Sequence, residues 1–255
     1  MLWAKVLTIA SALLVSPNVS AEPSFCRNAL PLTDAEQIWG RSFLAPKVPT
    51  HESDRCASDL PLAVSIITGG KHNAAALLWT DKKSDIRYRK LEFSFQIPTD
   101  ADIEGFTHVA AMVAYEKPSP DIPGSGYGRF GAAIFLDKLY IEYMMDGGNG
   151  CPILDSTNTN LFAPVDIPRG GLHQGRWYKV LTTASRSGGG LYVTAILFDV
   201  TARGSLRRIV STHARFPHDC YPAWYGSDRM SFVVGAQGWQ KSVVVFIDNV
   251  AGESR

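Results

Sequence analysis

Alternation of apolar and polar positions is the most regular feature of this chain. In the segment "KLEFSFQI", residues 90–97, the apolar residues fall on one side and the polar ones on the other. A period of two residues is that of a β-strand with one buried face. The pattern therefore predicts a half-buried strand with its apolar side chains in a core: Leu91, Phe93, Phe95 and Ile97.

Similar segments along the chain predict roughly ten or eleven strands, most of them in consecutive hairpins. "THVAAMVAY" is apolar on both faces, as a central strand would be, and residues 130–145 form a hairpin that turns near Asp137. "RWYKVLTTA" and "GLYVTAILFDV" flank the glycine-rich loop "SRSGGG", and residues 230–252 read as a closing strand pair around a glycine-containing turn. Consecutive hairpins exclude βαβ units and favour two antiparallel sheets packed face to face.

A short helix is predicted before the strands. Thr33 to Glu36 forms a capping box, Ile38 and Trp39 follow, and Gly40 can end the helix. The predicted fold is an all-β, antiparallel two-sheet β-sandwich (jelly roll) with a short N-terminal helix.

The first residues have the pattern of a secretory signal peptide: one lysine, a short apolar run and a small-residue cleavage site at Ala21. No later segment is apolar for long enough to span a bilayer. We therefore expect a secreted or periplasmic protein divided into a signal peptide (1–21), an N-terminal segment with the short helix and a loop (22–59) and the sandwich (60–255).

The net charge bears on nucleic-acid binding, and the cysteine content bears on disulfide formation. The chain has 25 basic and 24 acidic residues, and one lysine lies in the signal peptide, so the mature charge is zero. A neutral chain without basic runs gives no support for nucleic-acid binding. Four cysteines in an exported chain predict two disulfides with three possible connectivities, of which we prefer Cys26–Cys56 and Cys151–Cys220.

Several strands together resemble the concanavalin A-like lectin/glucanase superfamily, and most of all its laminin-G-like jelly rolls. The similarity lies in "KLEFSFQIP", "RFGAAIFLDKLYIEY", "GRWYKVLTTASRSGGGLYVTAILFDV" and "FVVGAQGWQKSVVVFIDNVAG", and it covers roughly residues 60–250. The resemblance implies a curved β-sandwich, often with glycan ligands and sometimes with a structural calcium. A fold by itself does not define a function.

The run of Asp100, Asp102 and Glu104 raises the possibility of glycoside hydrolysis, which uses paired carboxylates. Glucanases of the resembled superfamily carry a Glu-x-Asp-x-x-Glu run on an inner strand, and this sequence departs from it in the first residue and in the spacing. The run follows Pro98 and precedes Gly105. We therefore interpret it as a solvated acidic turn between strands.

Aromatic residues outside the predicted strands are the better candidates for ligand contact. Sugars stack their C–H faces on aromatic rings while polar neighbours fix their orientation. The loops 116–129 and 146–174 are long for a compact domain, and such loops are often functional. The candidate contact residues in loops and turns are Tyr127, Trp224, Tyr225 and Trp239; the alternative is that they cap the ends of the sandwich.

A second group of candidates lies on one predicted strand face. Tyr140 and Glu142 share a side of their strand and could line a groove, with Arg129 nearby. A lyase needs a residue that neutralises the substrate acid and a Tyr or His that removes a proton. Arg129, Tyr140 and His108 are of these types, although a histidine on an apolar strand is more often structural.

Asp248 lies in the alternating segment "SVVVFIDNV", where it is expected to share a face with Val244, Phe246 and Val250. A carboxylate on an apolar face needs a partner. A calcium ion would serve, as would an arginine or a cluster of backbone amides.

The sequence thus favours an exported β-sandwich that binds a glycan or another extracellular polymer without cleaving it. The first alternative is a polysaccharide-degrading hydrolase or lyase that uses Tyr140, Glu142 and Arg129. The second is a structural or protein-binding module of the cell envelope.

Overall fold

A computed structural model describes residues 25–27, 36–39, 41–44, 64–67, 73–81, 88–115, 129–144, 161–201, 203–217, 230–238 and 244–254. These residues contain 15 strands and no helix. The strands are β1 (Phe25–Arg27), β2 (Glu36–Trp39), β3 (Arg41–Leu44), β4 (Val64–Ile67), β5 (Asn73–Asp81), β6 (Tyr88–Gln96), β7 (Phe106–Tyr115), β8 (Arg129–Ile134), β9 (Lys138–Met144), β10 (Leu161–Asp166), β11 (Trp177–Ser187), β12 (Gly190–Val200), β13 (Leu206–Pro217), β14 (Met230–Gly238) and β15 (Val244–Ser254).

The strands form two antiparallel sheets, which confirms the predicted sandwich. The eight-stranded sheet has the order β13-β12-β11-β6-β15-β4-β3, and β1 also pairs with β15. The seven-stranded sheet has the order β10-β9-β8-β7-β14-β5-β2. Along one side, Thr212 Oγ1 of edge strand β13 donates to Ala163 O of edge strand β10 at 2.5 Å.

The core lies between the sheets and is built from the predicted alternation. Leu91, Phe93 and Phe95 of β6 are fully buried, and Ile97 is 1% exposed. They pack with residues of the opposite sheet in one apolar cluster. Burial of this apolar surface is the main stabilising contribution to the fold.

The polar side of β6 is less exposed than its sequence indicates. Glu92, Ser94 and Gln96 are all buried. The carboxylate of Glu92 lies 3.2 Å from Lys90 Nζ and 3.5 Å from Lys179 Nζ. The prediction of a half-buried strand was wrong on this side, because side chains of neighbouring strands, among them Lys179 of β11, cover it.

Two predicted hairpins are confirmed. β8 and β9 pair from Arg129–Met144 to Ile134–Leu139 around the turn at Asp137. β11 and β12 pair from Tyr178–Asp199 to Ser187–Gly190, and Gly188 and Gly189 take the positive φ angles that this turn needs.

Three predictions about local structure were wrong. Residues 36–39 form strand β2 beside β5 rather than the short N-terminal helix; a single helical turn gains few hydrogen bonds, whereas a strand at a sheet edge gains a ladder. The second long loop contains β10. β14 and β15 do not pair with each other, because β14 lies between β7 and β5 in one sheet and β15 lies between β6 and β4 in the other.

Within the part of the chain that the structure describes, no helix has the length and hydrophobicity needed to cross a membrane. The division into residues 1–21, 22–59 and 60–255 stays a prediction.

Candidate functional site

Tyr140 and Glu142 of β9 lie on the outer face of the seven-stranded sheet, the side away from the core. Glu142 is 5% exposed, and its Oε2 lies 3.4 Å from Nε2 of His108 on β7. The ring of Phe135 stacks on that of His108 at 5.1 Å and meets Tyr140 edge-on, also at 5.1 Å. The four side chains form one group, which we call the sheet-face cluster: His108, Phe135, Tyr140 and Glu142.

Small and apolar residues form the floor beneath this cluster. Tyr140, Ala133 and Ala110 are register partners on three neighbouring strands, so a strip of small side chains runs beside the ring of Tyr140. Met112 and Val233 are buried on the same face and pack with these residues. An aromatic ring next to a low floor is suited to contact with a flat ligand.

The side chains of His108 and Glu142 are buried, while the aromatic residues of the cluster keep part of their surface exposed. The side chains of His108 and Glu142 are 11% and 7% exposed. Nδ1 of His108 is buried, and the described residues offer it no hydrogen-bond partner. A buried nitrogen in this state leaves one hydrogen-bonding position that a water molecule or a ligand hydroxyl can fill.

Arg129 begins β8 opposite Met144, two positions from Gly131, which is opposite Glu142. Its backbone therefore lies on the strand between the two strands that carry His108 and Glu142.

Tyr127, Trp224, Tyr225 and Trp239 lie outside the described residues, so their roles stay predictions. The same holds for both disulfides, since the structure describes the backbone of Cys26 in β1 but not Cys56, Cys151 or Cys220.

The acidic run after β6 is a turn, as interpreted. Asp100, Asp102 and Glu104 are exposed. The carboxylate of Asp102 accepts a hydrogen bond from the backbone N–H of Glu104 at 3.0 Å. These carboxylates lie at the edge of the fold and not on an inner strand face.

Asp248 is buried at 5% exposure and shares a face with Val244 and Phe246, as expected, but not with Val250. It pairs with Ser94 on the outer side of the eight-stranded sheet, and a bulge between Asp248 and Ala251 returns Val250 to the core beside Ile247. The prediction was wrong for Val250 because the bulge shifts the period after Asp248. The carboxylate of Asp248 accepts a hydrogen bond from the backbone N–H of Asn249 at 2.9 Å. Asn249 has a φ of 51°, in the left-handed region.

The described residues contain no group of three or more His, Cys, Asp or Glu side chains that could hold a metal ion. The carboxylate of Asp248 alone does not make a calcium site, which takes six or more oxygen ligands. Its backbone hydrogen bond is one of the alternatives that the sequence left open.

A separate pocket of about 300 Å³ opens at one end of the sandwich, and the sequence did not predict it. Tyr178, Asp199 and Arg207 are register neighbours across β11, β12 and β13 and form its inner wall. The loop between β10 and β11 closes the other side. We call this site the arginine pocket; its described lining residues are Ile167, Pro168, Arg169, Gly171, His173, Arg176, Tyr178, Asp199, Arg207, Arg208 and Ile209.

Hydrogen bonds to neighbouring turns fix the loop of the arginine pocket. Ile167 and Leu172 donate their backbone N–H groups to Asp137 O and Leu136 O. Gln174 Nε2 donates to Pro98 O and Ala101 O at 3.0 and 2.7 Å. The loop is therefore tied to the turn of the β8–β9 hairpin and to the connection between β6 and β7.

Two polar groups in the pocket have defined partners. Arg207 Nη2 lies 2.7 Å from Asp199 Oδ2, and Tyr178 Oη accepts the backbone N–H of His173 at 2.8 Å. Burial raises the pKa of Tyr178 above its ordinary value, although the His173 hydrogen bond and the charge of Arg176 act in the opposite direction. The Tyr178 hydroxyl is therefore neutral at physiological pH.

Comparison with known proteins identifies the fold. No family model and no curated protein matches the chain. The solved carbohydrate recognition domain of Emp46p matches with a TM-score of 0.53 and 12% identity, over 91% of this chain and 96% of that one. An endo-1,3-beta-glucanase from Streptomyces sioyaensis matches with a TM-score of 0.52 and 12% identity, over 88% and 90% of the two chains.

The chain is an antiparallel β-sandwich. More specifically, it has the fold of the Emp46p carbohydrate recognition domain and of the endo-1,3-beta-glucanase, which confirms the fold that the resemblance in the sequence implies. The closer likeness to laminin-G-like jelly rolls stays a prediction.

Proposed function

We propose that this protein is an exported carbohydrate-binding β-sandwich that holds a glycan on the outer face of its seven-stranded sheet. The observation that carries the proposal is the sheet-face cluster, where partly exposed aromatic rings lie against the buried side chains of His108 and Glu142. Two proteins of the same fold, the Emp46p domain and the glucanase, are by their names carbohydrate-recognising or glucan-cleaving. The leader-like residues 1–21 support a secreted or periplasmic location.

The chemistry of the cluster suits a neutral sugar. The exposed parts of Phe135 and Tyr140 offer apolar surface for the C–H face of a pyranose ring. Glu142 can accept hydrogen bonds from sugar hydroxyls, and Nδ1 of His108 has hydrogen-bonding capacity that the described residues do not use. Polar groups in a largely apolar site provide orientation and specificity.

A polysaccharide-degrading enzyme is the second candidate, favoured by the juxtaposition of His108, Tyr140 and Glu142. A histidine and a tyrosine can exchange protons with a substrate, and a neighbouring carboxylate can orient and charge-stabilise the imidazole. The distance of 3.4 Å between His108 Nε2 and Glu142 Oε2 permits this arrangement. Arg129, on the strand between them, is the candidate for neutralising a substrate acid.

One experiment tests both candidates. The mature protein is incubated with a panel of insoluble and soluble polysaccharides that includes β-1,3-glucan; binding is measured by co-sedimentation, and turnover by reducing-end and unsaturated-uronate assays. We expect binding without product, and a loss of affinity of about tenfold in Tyr140→Ala, equivalent to about 1.4 kcal/mol. Tyr192→Ala, at an exposed tyrosine on the other sheet, is the matched control and should bind like the wild type.

The other outcomes are equally specific. Product formation that stops in Glu142→Gln would replace the binding function by an enzymatic one. Equal affinity of the Tyr140→Ala and Tyr192→Ala variants would move the site away from the sheet face, and loss in Trp224→Ala and Trp239→Ala would place it in the loops instead. Binding to no glycan, with recovery of a protein partner, would favour a structural or protein-binding module.

A structural calcium near Asp248 also remains a proposal. Calcium added to chelator-treated protein is expected to raise the melting temperature, because a ligand that binds only the folded state stabilises it. Asp248→Asn should remove the shift if this carboxylate is a ligand. An unchanged melting temperature in the wild type would exclude the calcium site.

A further inference from the structure

The arginine pocket has an excess of positive charge that the rest of the chain does not share. Four guanidinium groups line it, from Arg169, Arg176, Arg207 and Arg208, and the described lining residues provide one carboxylate, that of Asp199. The whole chain carries a formal net charge of only +1. Arginine stays protonated at any physiological pH, so the excess cannot be removed by titration.

Of the four arginines, Arg207 is the one with a described carboxylate partner, Asp199. Arg208 donates to Ser211, and the side chain of Arg176 is hydrogen-bonded to the hydroxyl of Tyr178. No described carboxylate lies within ion-pair distance of Arg169 or Arg176. Like charges held together in one pocket repel each other, and an oxyanion placed between them would relieve that repulsion.

The backbone at Arg169 shows that the loop places this cation at a cost. Arg169 has a φ of 63°, in the left-handed region that a side chain with a Cβ atom rarely adopts. Strained backbone that the surrounding structure holds in place is concentrated at ligand-binding sites. The hydrogen bonds of Ile167, Leu172 and Gln174 supply that support here.

The dimensions and walls of the pocket suit one small ring. A volume of about 300 Å³ is at the lower end of the range for ligand sites. Ile167, Pro168 and Ile209 provide apolar wall, and the neutral hydroxyl of Tyr178 adds no negative charge. The pocket therefore combines surface for C–H groups with guanidinium donors for an anion.

We propose that the arginine pocket binds an acidic sugar residue through its carboxylate or sulfate group. The choice of a sugar rests on the proposed function, whereas the choice of an anion rests on the four guanidinium groups that line the pocket. Arg169 and Arg176 hold the oxyanion, and the apolar wall faces the ring. The site is separate from the sheet-face cluster, so an acidic polysaccharide could contact the protein at both places.

Calorimetric titration with four small probes tests the proposal: glucuronate, glucose 6-sulfate, glucose and inorganic phosphate. We expect one or both charged sugars to bind and glucose not to bind. Arg176→Gln should weaken binding by about tenfold or more, because a hydrogen bond to a charged group is lost. Arg176→Lys should weaken it less, since it keeps the charge but not the forked geometry. Carboxylate and sulfate are distinguished by which of the two charged sugars binds.

The matched control is Arg215→Gln, on the same strand as Arg207 but outside the pocket, where Arg215 packs over Tyr192 at 5.4 Å. It should bind like the wild type. Equal binding of glucose and the charged sugars, or equal affinity in the Arg176 and Arg215 variants, would overturn the proposal. Binding of inorganic phosphate with no binding of either charged sugar would overturn the choice of a sugar.

Failure here is distinguishable from failure of the proposed function. If Tyr140→Ala abolishes polysaccharide binding while Arg176→Gln changes nothing, the sheet-face function stands and the arginine pocket is refuted. If Arg176→Gln weakens glucuronate binding while no polysaccharide binds the sheet face, the pocket stands and the proposed function falls.

Discussion

Replacing Phe93 with alanine is expected to lower the free energy of unfolding by about 3–5 kcal/mol, the usual cost of removing a buried phenyl ring. Phe93 is fully buried in the centre of β6, with the ring of Phe95 at 6.0 Å, and belongs to the cluster that joins the two sheets. The alanine variant would leave a cavity that packed sheets cannot collapse to fill. Urea denaturation followed by circular dichroism measures the loss.

Tyr192→Ala is the control for ring size. Tyr192 is 38% exposed on β12, and the guanidinium of Arg215 lies over its ring at 5.4 Å. An exposed cation–π contact is worth about 0.5–1 kcal/mol, so this variant should lose no more than that. Equal losses in the two variants would mean that the face of β6 carrying Phe93 is not the core.

The core was predictable because each strand face repeats every second residue. Leu91, Phe93 and Phe95 could be assigned to one buried face from the sequence alone, and the turn at Asp137 marked a hairpin by its position between two alternating segments. Both features are local. They need no knowledge of which distant strand lies alongside.

Pairing between distant segments could not be read in the same way. β14 and β15 are consecutive and alternate like a hairpin, yet each pairs with strands from much earlier in the chain. The bulge after Asp248 could not be predicted either. It changes the face on which the following residues of β15 lie, and only the register with β6 shows where it occurs. Period-two patterns define the faces of a strand but not its neighbours.

The sheet-face cluster likewise has one part that the sequence predicts and one part that depends on strand order. Tyr140 and Glu142 share a face by alternation, and the sequence placed them together. Their contact with His108 depends on β7 and β9 flanking β8, which is a matter of sheet order.

The arginine pocket was not predicted, because its arginines come from two segments that are distant in sequence, 169–176 and 207–208. In the sequence they resemble ordinary surface residues. One signal was present in the sequence. The stretch "PRGGLHQGR" combines arginines with three glycines, and Gly170, Gly171 and Gly175 all have positive φ angles in the structure. Arginines next to glycines in a long connection indicate a candidate anion site, since the glycines permit a tightly folded loop that can hold the arginines in place.

Gly171→Ala is the second substitution with a large expected effect. It tests whether the contact with Leu136 positions the loop between β10 and β11. Gly171 has a φ of 93°, and a Cβ atom there would overlap the carbonyl oxygen of Leu136, which accepts the N–H of Leu172 at 2.6 Å. The left-handed backbone costs an alanine about 1–2 kcal/mol, and the forced displacement of packed backbone adds about 1–3 kcal/mol. We expect a decrease of about 2–5 kcal/mol in the free energy of unfolding, measured by urea denaturation.

Gly170→Ala separates the two contributions. Gly170 also has a positive φ, 80°, but nothing lies within 4 Å of where its Cβ would be. In this variant the free energy of unfolding should decrease only by the cost of the left-handed backbone, about 1–2 kcal/mol. Its affinity for the charged sugar should be unchanged. Gly171→Ala must displace the hydrogen bond that holds the loop to Leu136, so it should lose affinity as well as stability. If both variants lose the same stability and both keep their affinity, then contact with Leu136 does not position the loop, and the strained backbone of Arg169 would have no support from this side of the pocket.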